Sequence, residues 1–197
     1  MSRFFIKGSG SYASADSRDY LLRRRILFIS GDITEELAQE TNRALLILAS
    51  ESREPITIVI DSGGGSTDAG LSIIDMMKLT GCRIKCICTC LAASMAAIIF
   101  SQGDERILLP HARVMLHETK ISARFTAGSA TLREMTDSLN QTDKVLKKLL
   151  ADKTGRTLEE IEKACSFDNF MSAEQAIDFG LADSIADKLD MITEVLE

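Results

Sequence analysis

The residue types able to carry nucleophilic chemistry in this chain converge on Ser94, His117 and a run of glycines. Ser94 sits between an apolar strand pattern and the helical pattern that opens at Met95, flanked by Ala92, Ala93, Ala96 and Ala97. A serine at such a junction meets the free N–H groups and partial positive charge of a helix start, where an oxyanion would be stabilised. Its small neighbours are expected to leave room for a substrate backbone. The chain has only two histidines. His117 closes a strand and is expected to face a cleft, while His111, in the turn at Pro110, is expected to be solvated. By position alone Ser94 is equally a good N-cap, and Asp168, just before Phe170, a good cap or turn acid.

The run Gly63-Gly64-Gly65 ends a second strand pattern. Glycines there let the backbone turn sharply and bring an N–H close to a ligand. A phosphate loop needs a lysine before its Ser or Thr, and none is present; the dinucleotide pattern G-x-G-x-x-G is absent too. What remains is a second oxyanion-type donor or a peptide-binding edge beside Ser94.

Regular elements must position these groups. Residues 26–29 and 56–60 are short apolar runs, as in strands buried on both faces. Helical patterns follow over 34–50 and up to the stop at Gly81. A strand over 83–90 leads into Ser94, and strands 106–109 and 113–117 are joined by a turn at Pro110-His111. A long amphipathic helix over about 129–153, striped by Leu132, Met135, Leu139, Leu146 and Leu149, departs from this rhythm and is expected to project as an arm. Shorter helices follow near 159–164 and over 173–179. The alternation predicts one α/β domain with a largely parallel sheet. The expected organisation is a flexible segment over 1–22, a domain over 23–187 that includes the arm, and a tail over 188–197.

Composition narrows the function classes. The 197 residues suit a single domain, and the net charge of −6 argues against a nucleic-acid partner. Arg23-Arg24-Arg25 is read as a solvated strand entrance. Cys86, Cys88 and Cys90 share one strand face, but same-face positions lie about 6–7 Å apart, too spread to hold one zinc ion. They are read as small core residues, and no metal or cofactor is expected. No apolar stretch is long enough to span a bilayer, so no membrane partner is expected and a reducing cytoplasm is the expected compartment.

Three segments together resemble the family of Clp protease proteolytic subunits (ClpP), over about residues 17–187. Ala92-Ala93-Ser94-Met95-Ala96 looks like its nucleophile motif, and Arg113-Val114-Met115-Leu116-His117 like its histidine strand. The segment from Asp168 to Ala176, Asp-Asn-Phe-Met-Ser-Ala-Glu-Gln-Ala, looks like the one that supplies the third member of the triad. The resemblance implies a ClpP/crotonase-like fold of repeated ββα units with a protruding strand-helix arm. It also implies a Ser94–His117–Asp168 triad and an oxyanion hole from the backbone N–H groups of Gly65 and Met95. Substrate would be bound by Gly64, Glu118, Thr119 and Ile121. The implied function is serine endopeptidase activity on unfolded polypeptides delivered by an AAA+ unfoldase of the Clp type. The implied assembly is stacked heptameric rings, as a homo-oligomer or as a hetero-oligomer with a paralogous subunit.

The chain departs from the family at several surfaces. Gly63 stands where proline is usual, which should loosen the loop. The Gln-Pro and glycine-rich strand after the histidine is replaced by Glu118-Thr119-Lys120-Ile121-Ser122-Ala123-Arg124-Phe125. Glu118 should point away from His117 if the strand stays regular. Ser166-Phe167 replaces an acid–arginine pair used between rings, and Thr57 and Val59 replace aromatic residues of the unfoldase docking pocket. These departures give the alternative reading, a weakly active structural or regulatory subunit of a mixed assembly. An acyl-CoA enzyme of the related crotonase type is disfavoured, because it needs an acidic base and a basic CoA surface.

Overall fold

The computed structural model describes residues 3–7, 12–120 and 128–188. Its main sheet has seven strands, built from alternating strands and helices: β3 (Ile26–Ile33), α2 (Glu35–Glu51), β4 (Ile56–Gly65), α3 (Thr67–Thr80), β5 (Ile84–Ala93), α4 (Met95–Ser101), β6 (Glu105–Leu108) and β7 (Arg113–Leu116). There follow α5 (Ser129–Thr154), α6 (Leu158–Cys165), β8 (Asn169–Met171), α7 (Ala173–Phe179) and β9 (Ser184–Ile185). Within this sheet, among the described residues, the pairs β3–β4, β4–β5, β5–β6, β5–β7 and β6–β9 are parallel and only β7–β8 is antiparallel. The expected α/β class with a largely parallel sheet is what forms.

The central strand β5 is shared lengthwise. Lys85 to Cys88 pair with β6, and Leu91 to Ala93 pair with β7. The turn at Pro110-His111 therefore carries the chain along β5 rather than across it, and His111 is exposed there. Both faces of the sheet's middle are dry, with Ile58, Ile60, Cys86 and Cys88 fully buried on one and Ile87 and Ile107 on the other. Each Ile removed from water contributes on the order of 1.5–3 kcal/mol. Burial pushes the Cys86 and Cys88 thiols up to about 12, so both act as small apolar side chains. Cys90 differs from its expected core role. It is exposed, because β5 leaves the core between Thr89 and Leu91 before Ala92 and Ala93 re-enter it.

Helices close over this sheet. α2 buries Ala38, Thr41, Leu45 and Leu48, and α3 buries Ile73, Ile74 and Met77 before Gly81 ends it at φ 62°. All seven residues of α4 are buried. In α5 only Leu146 and Leu150 are buried, and Leu132 is 46% exposed. The N-terminal half of that helix thus leaves Leu132 exposed and Met135 and Leu139 only half-buried.

The N-terminal segment and the arginine cluster both carry regular contacts. Within residues 1–22, β1 (Arg3–Lys7) and β2 (Tyr12–Asp16) form an antiparallel pair, and α1 (Ser17–Leu22) follows. Asp16 caps α1 by accepting the Arg18 N–H at 2.8 Å. The weak strand propensity of the Ser/Ala/Asp stretch is overridden by backbone pairing. The arginine cluster is not uniformly solvated either. The Arg25 guanidinium donates to the Leu48, Glu54 and Pro55 carbonyls at 2.9–3.1 Å and to the Ser52 carbonyl at 3.4 Å. It thereby ties the chain just past α2 to the last turn of the helix, where its charge opposes the negative end of the helix dipole.

Replacing Arg25 by Ala should cost about 2 kcal/mol and lower the thermal midpoint by about 4–8 °C. Arg23→Ala, on an exposed side chain, should leave the midpoint within about 1 °C. Differential scanning calorimetry of the two variants checks this, and equal midpoints would refute the capping role.

Candidate active site

Strand register brings the three expected residues together. β5 and β7 pair Ala93 with Met115, and the Ser94 N–H donates to the Met115 carbonyl at 2.9 Å. β7 and β8 pair Leu116 with Asn169 in antiparallel register, so the next step along each chain sets His117 beside Asp168. Ser94 therefore leaves one edge of β7 as Asp168 arrives on the other.

Ser94 has φ 54° and ψ −124°, a conformation that costs a non-glycine residue on the order of 1–3 kcal/mol. It occupies the N-cap position of α4, yet its side chain makes no capping bond. Its Oγ instead lies 2.7 Å from His117 Nε2. The sharp turn lifts the hydroxyl out of the strand and gives it to the imidazole, which decides against the simple cap reading. The flanking alanines, expected to leave space for substrate, are all buried. Their small size lets α4 pack tightly against β4 and β5 instead.

The glycine run continues β4 rather than ending it. Gly65 pairs with Ile33, and the Gly64 N–H donates to Ser62 Oγ at 3.1 Å. At Gly64, φ is 99°, and a Cβ there would stand 2.7 Å from Ser94 Cβ and 2.8 Å from the Ala93 carbonyl. Gly65, at φ 153°, lies against the Ile33 backbone with no space for a side chain. Gly63 faces open space.

A cavity of about 210 Å³ opens beside Ser94 Oγ, with Gly65, Met95 and His117 at its reacting end. Ile98, Leu146 and Leu150 form an apolar wall. α5 adds the Asp143–Lys147 ion pair at 2.7 Å, and Thr119 Oγ1 donates to Asp143 Oδ1 at 3.0 Å. Glu118 and Thr119 line this cavity. Glu118 does so because β7 stops at Leu116, so the alternation that should turn it away from His117 has ended. Gly64 is not among the lining residues, since it packs behind Ser94. Ile121 lies outside the described residues. Cys165, Asp143, Lys147 and Lys120 line the cavity although sequence reasoning did not place them there. Burial pushes the Cys165 thiol up to about 11.

Asp168 is shared. Its Oδ1 accepts from Lys120 Nζ at 2.8 Å and stands 3.4 Å from His117 Nδ1. The longer contact permits charge attraction but lies outside hydrogen-bond geometry, and Nδ1 is a buried nitrogen with no partner. Such an unmet group costs on the order of 1–3 kcal/mol. The Lys120 hydrogen bond, and next its charge, hold the Asp168 carboxyl below the usual 3.8, with His117 contributing less. Since the folded-state value is depressed, the interaction of the Asp168 carboxylate is lost only as pH falls through that lowered value. Among the described residues no group of His, Cys, Asp and Glu side chains could hold a metal ion. Nor is any helix of the described residues long and apolar enough to cross a membrane.

A serine on a sharp strand-to-helix turn, bonded to a histidine beside a carboxylate, is the geometry of a serine hydrolase. The chain belongs to the Clp protease family, whose sequence profile matches residues 9–189. It is 36% identical over 181 residues to ATP-dependent Clp protease proteolytic subunit 2 of Corynebacterium efficiens, covering 90% of each chain. It is 35% identical over 168 residues to the ATP-dependent Clp protease proteolytic subunit of Ligilactobacillus salivarius, covering 84% of each. The protein is thus a subunit of a Clp-type protease, and the family's chemistry is that of a serine peptidase.

Gly64→Ala should lower the rate of serine labelling by a fluorophosphonate at least 100-fold, because the added methyl displaces Ser94. Gly63→Ala should label at the wild-type rate and gain about 0.5 kcal/mol of stability. Labelling followed by intact-mass spectrometry checks both, and unimpaired labelling of Gly64→Ala would contradict the contact.

Proposed function

We propose that this chain is the serine endopeptidase subunit of a self-compartmentalised protease, with Ser94 as nucleophile, His117 as general base and acid, and Asp168 as the group that orients the imidazole. The observation that carries this reading is the 2.7 Å contact of Ser94 Oγ with His117 Nε2 from a serine at positive φ. For Oγ–H to donate to Nε2, the ring proton must sit on Nδ1, the nitrogen that faces Asp168.

The chemistry is acyl transfer in two halves. Ser94 Oγ attacks the peptide carbonyl carbon as its proton passes to Nε2. The tetrahedral oxyanion is met by the backbone N–H groups of Gly65 and Met95, at the reacting end of the cavity. As the C–N bond breaks, the proton passes from Nε2 to the leaving amine. Water then attacks the acyl-enzyme by the same route and frees Ser94. The apolar wall formed by Ile98, Leu146 and Leu150 accepts a side chain of the bound peptide, and Glu118 and Thr119 border it.

The substrates are unfolded polypeptides delivered by an AAA+ unfoldase of the Clp type. The subunits form stacked heptameric rings in the cytoplasm, made by this chain alone or with a paralogous subunit. Support comes from the relatives' names, which are those of proteolytic subunits of an ATP-dependent protease. Those names favour the peptidase over a purely regulatory subunit.

Wild-type protein should be labelled by a fluorophosphonate at Ser94 and should cleave a fluorogenic peptide. Ser94→Ala should lose labelling completely and at least 1000-fold in cleavage, with the native mass of the assembly unchanged. Cleavage that survives Ser94→Ala, or wild-type protein that is neither labelled nor active with a paralogue present, would sink the assignment.

A further inference from the structure

Lys120 plays no part in the acyl-transfer steps, yet it makes the shortest contact to the residue that should orient His117. Its Nζ is 2.8 Å from Asp168 Oδ1, and the same oxygen is 3.4 Å from His117 Nδ1. Nδ1 is buried and lacks a hydrogen-bond partner, although a carboxylate stands next to it. Both Lys120 and Asp168 are about half exposed, at 47% and 56% of their side-chain surface, so neither is locked in place by packing.

From these contacts we propose that Lys120 is a positioning residue that competes with His117 for Asp168 and holds the triad one hydrogen bond short of completion. The inference rests on the serine-peptidase reading above and adds a control point to it. Two effects act in the same direction. The lysine draws Oδ1 away from Nδ1, so the proton that must stay on Nδ1 has no acceptor in line. Its positive charge also cancels part of the carboxylate field that stabilises the imidazolium formed when Ser94 gives up its proton. The pair is screened by water, which limits the effect to about one order of magnitude.

Among the described residues, the charged and titratable groups around the imidazole come from four segments. Glu118 and Lys120 come from its own segment, Asp143 and Lys147 from α5, Cys165 from α6, and Asp168 stands on the Nδ1 side. Asp143 and Lys147 are paired with each other at 2.7 Å. Among the described residues, Lys120 is therefore the cation that reaches the triad carboxylate.

The test compares fluorogenic-peptide hydrolysis by the assembled wild-type protein, Lys120→Met, Lys120→Arg, Asp168→Asn and the double variant Lys120→Met/Asp168→Asn. Lys120→Met should raise kcat three- to tenfold. It should also move the acidic limb of the kcat/KM profile to higher pH, because losing a nearby cation favours the protonated imidazole. Lys120→Arg, which keeps the charge, should remain within twofold of wild type. In the Asp168→Asn background, Lys120→Met should change kcat less than twofold, the signature of action through the carboxylate.

A Lys120→Met protein with unchanged or lowered kcat would overturn the proposal, and lowered kcat would make the lysine a strut for Asp168. So would an equal gain in the Asp168→Asn background. Native mass and circular dichroism of each variant separate these outcomes from misassembly, and Lys120→Arg supplies a folded comparison. Failure of the peptidase reading is distinguishable, since cleavage would then persist in Ser94→Ala or be absent from wild type, whatever Lys120 does.

Discussion

Hydrogen bonding of the four-residue strand β7 on both of its edges fixes everything that follows at the site. On one edge it runs parallel to the end of β5, on the other antiparallel to β8. The parallel edge delivers Ser94 at the close of β5, and the antiparallel edge delivers Asp168 at the entrance to β8. A slip of one residue in either ladder would send His117 to the opposite face. Val114 and Leu116 are buried, so such a slip would also expose two core side chains. Packing and catalytic geometry are thus enforced by the same register.

That register would be of little use without room for a strained serine. Gly64 leaves the space that Ser94 fills, Gly65 lies flat on Ile33, and Gly70 of α3 makes way for the Met95 side chain. Each of the three removes a Cβ where two backbones, or a backbone and a side chain, meet. The unfavourable φ at Ser94 is held by the wholly buried α4 behind it, whose Ile99 and Phe100 are fully out of water. Hydrophobic burial behind the turn thereby holds local strain at the Ser94 hydroxyl.

Much of this was legible in the chain itself. The period of apolar residues placed the long helices and the core strands, and the glycines at 81, 155 and 180 end helices with positive φ as their positions suggest. The order of Ser94, His117 and Asp168 matched a family motif, and the structure puts them in contact range. What stayed hidden depends on distances between segments far apart in sequence. Arg25 looked like one more member of a basic cluster, since nothing local shows that the end of α2 lies within its reach. Lys120 looked like part of a substrate strand, because its pairing with Asp168 appears only when β7 and β8 meet. Cys165 and the Asp143–Lys147 pair border the cavity only because α5 and α6 fold back over it.

The arm helix has a mechanical consequence. α5 runs for 26 residues without proline or glycine, a rod about 39 Å long. Its free end carries the uncovered Leu132, while its anchored end supplies Asp143, Leu146 and Leu150 to the wall of the cavity. Thr119, two residues past the histidine, is tethered to that wall through Asp143. A force or torque taken up at the tip is therefore borne by one unbroken lever whose short end rests against the cavity beside Ser94.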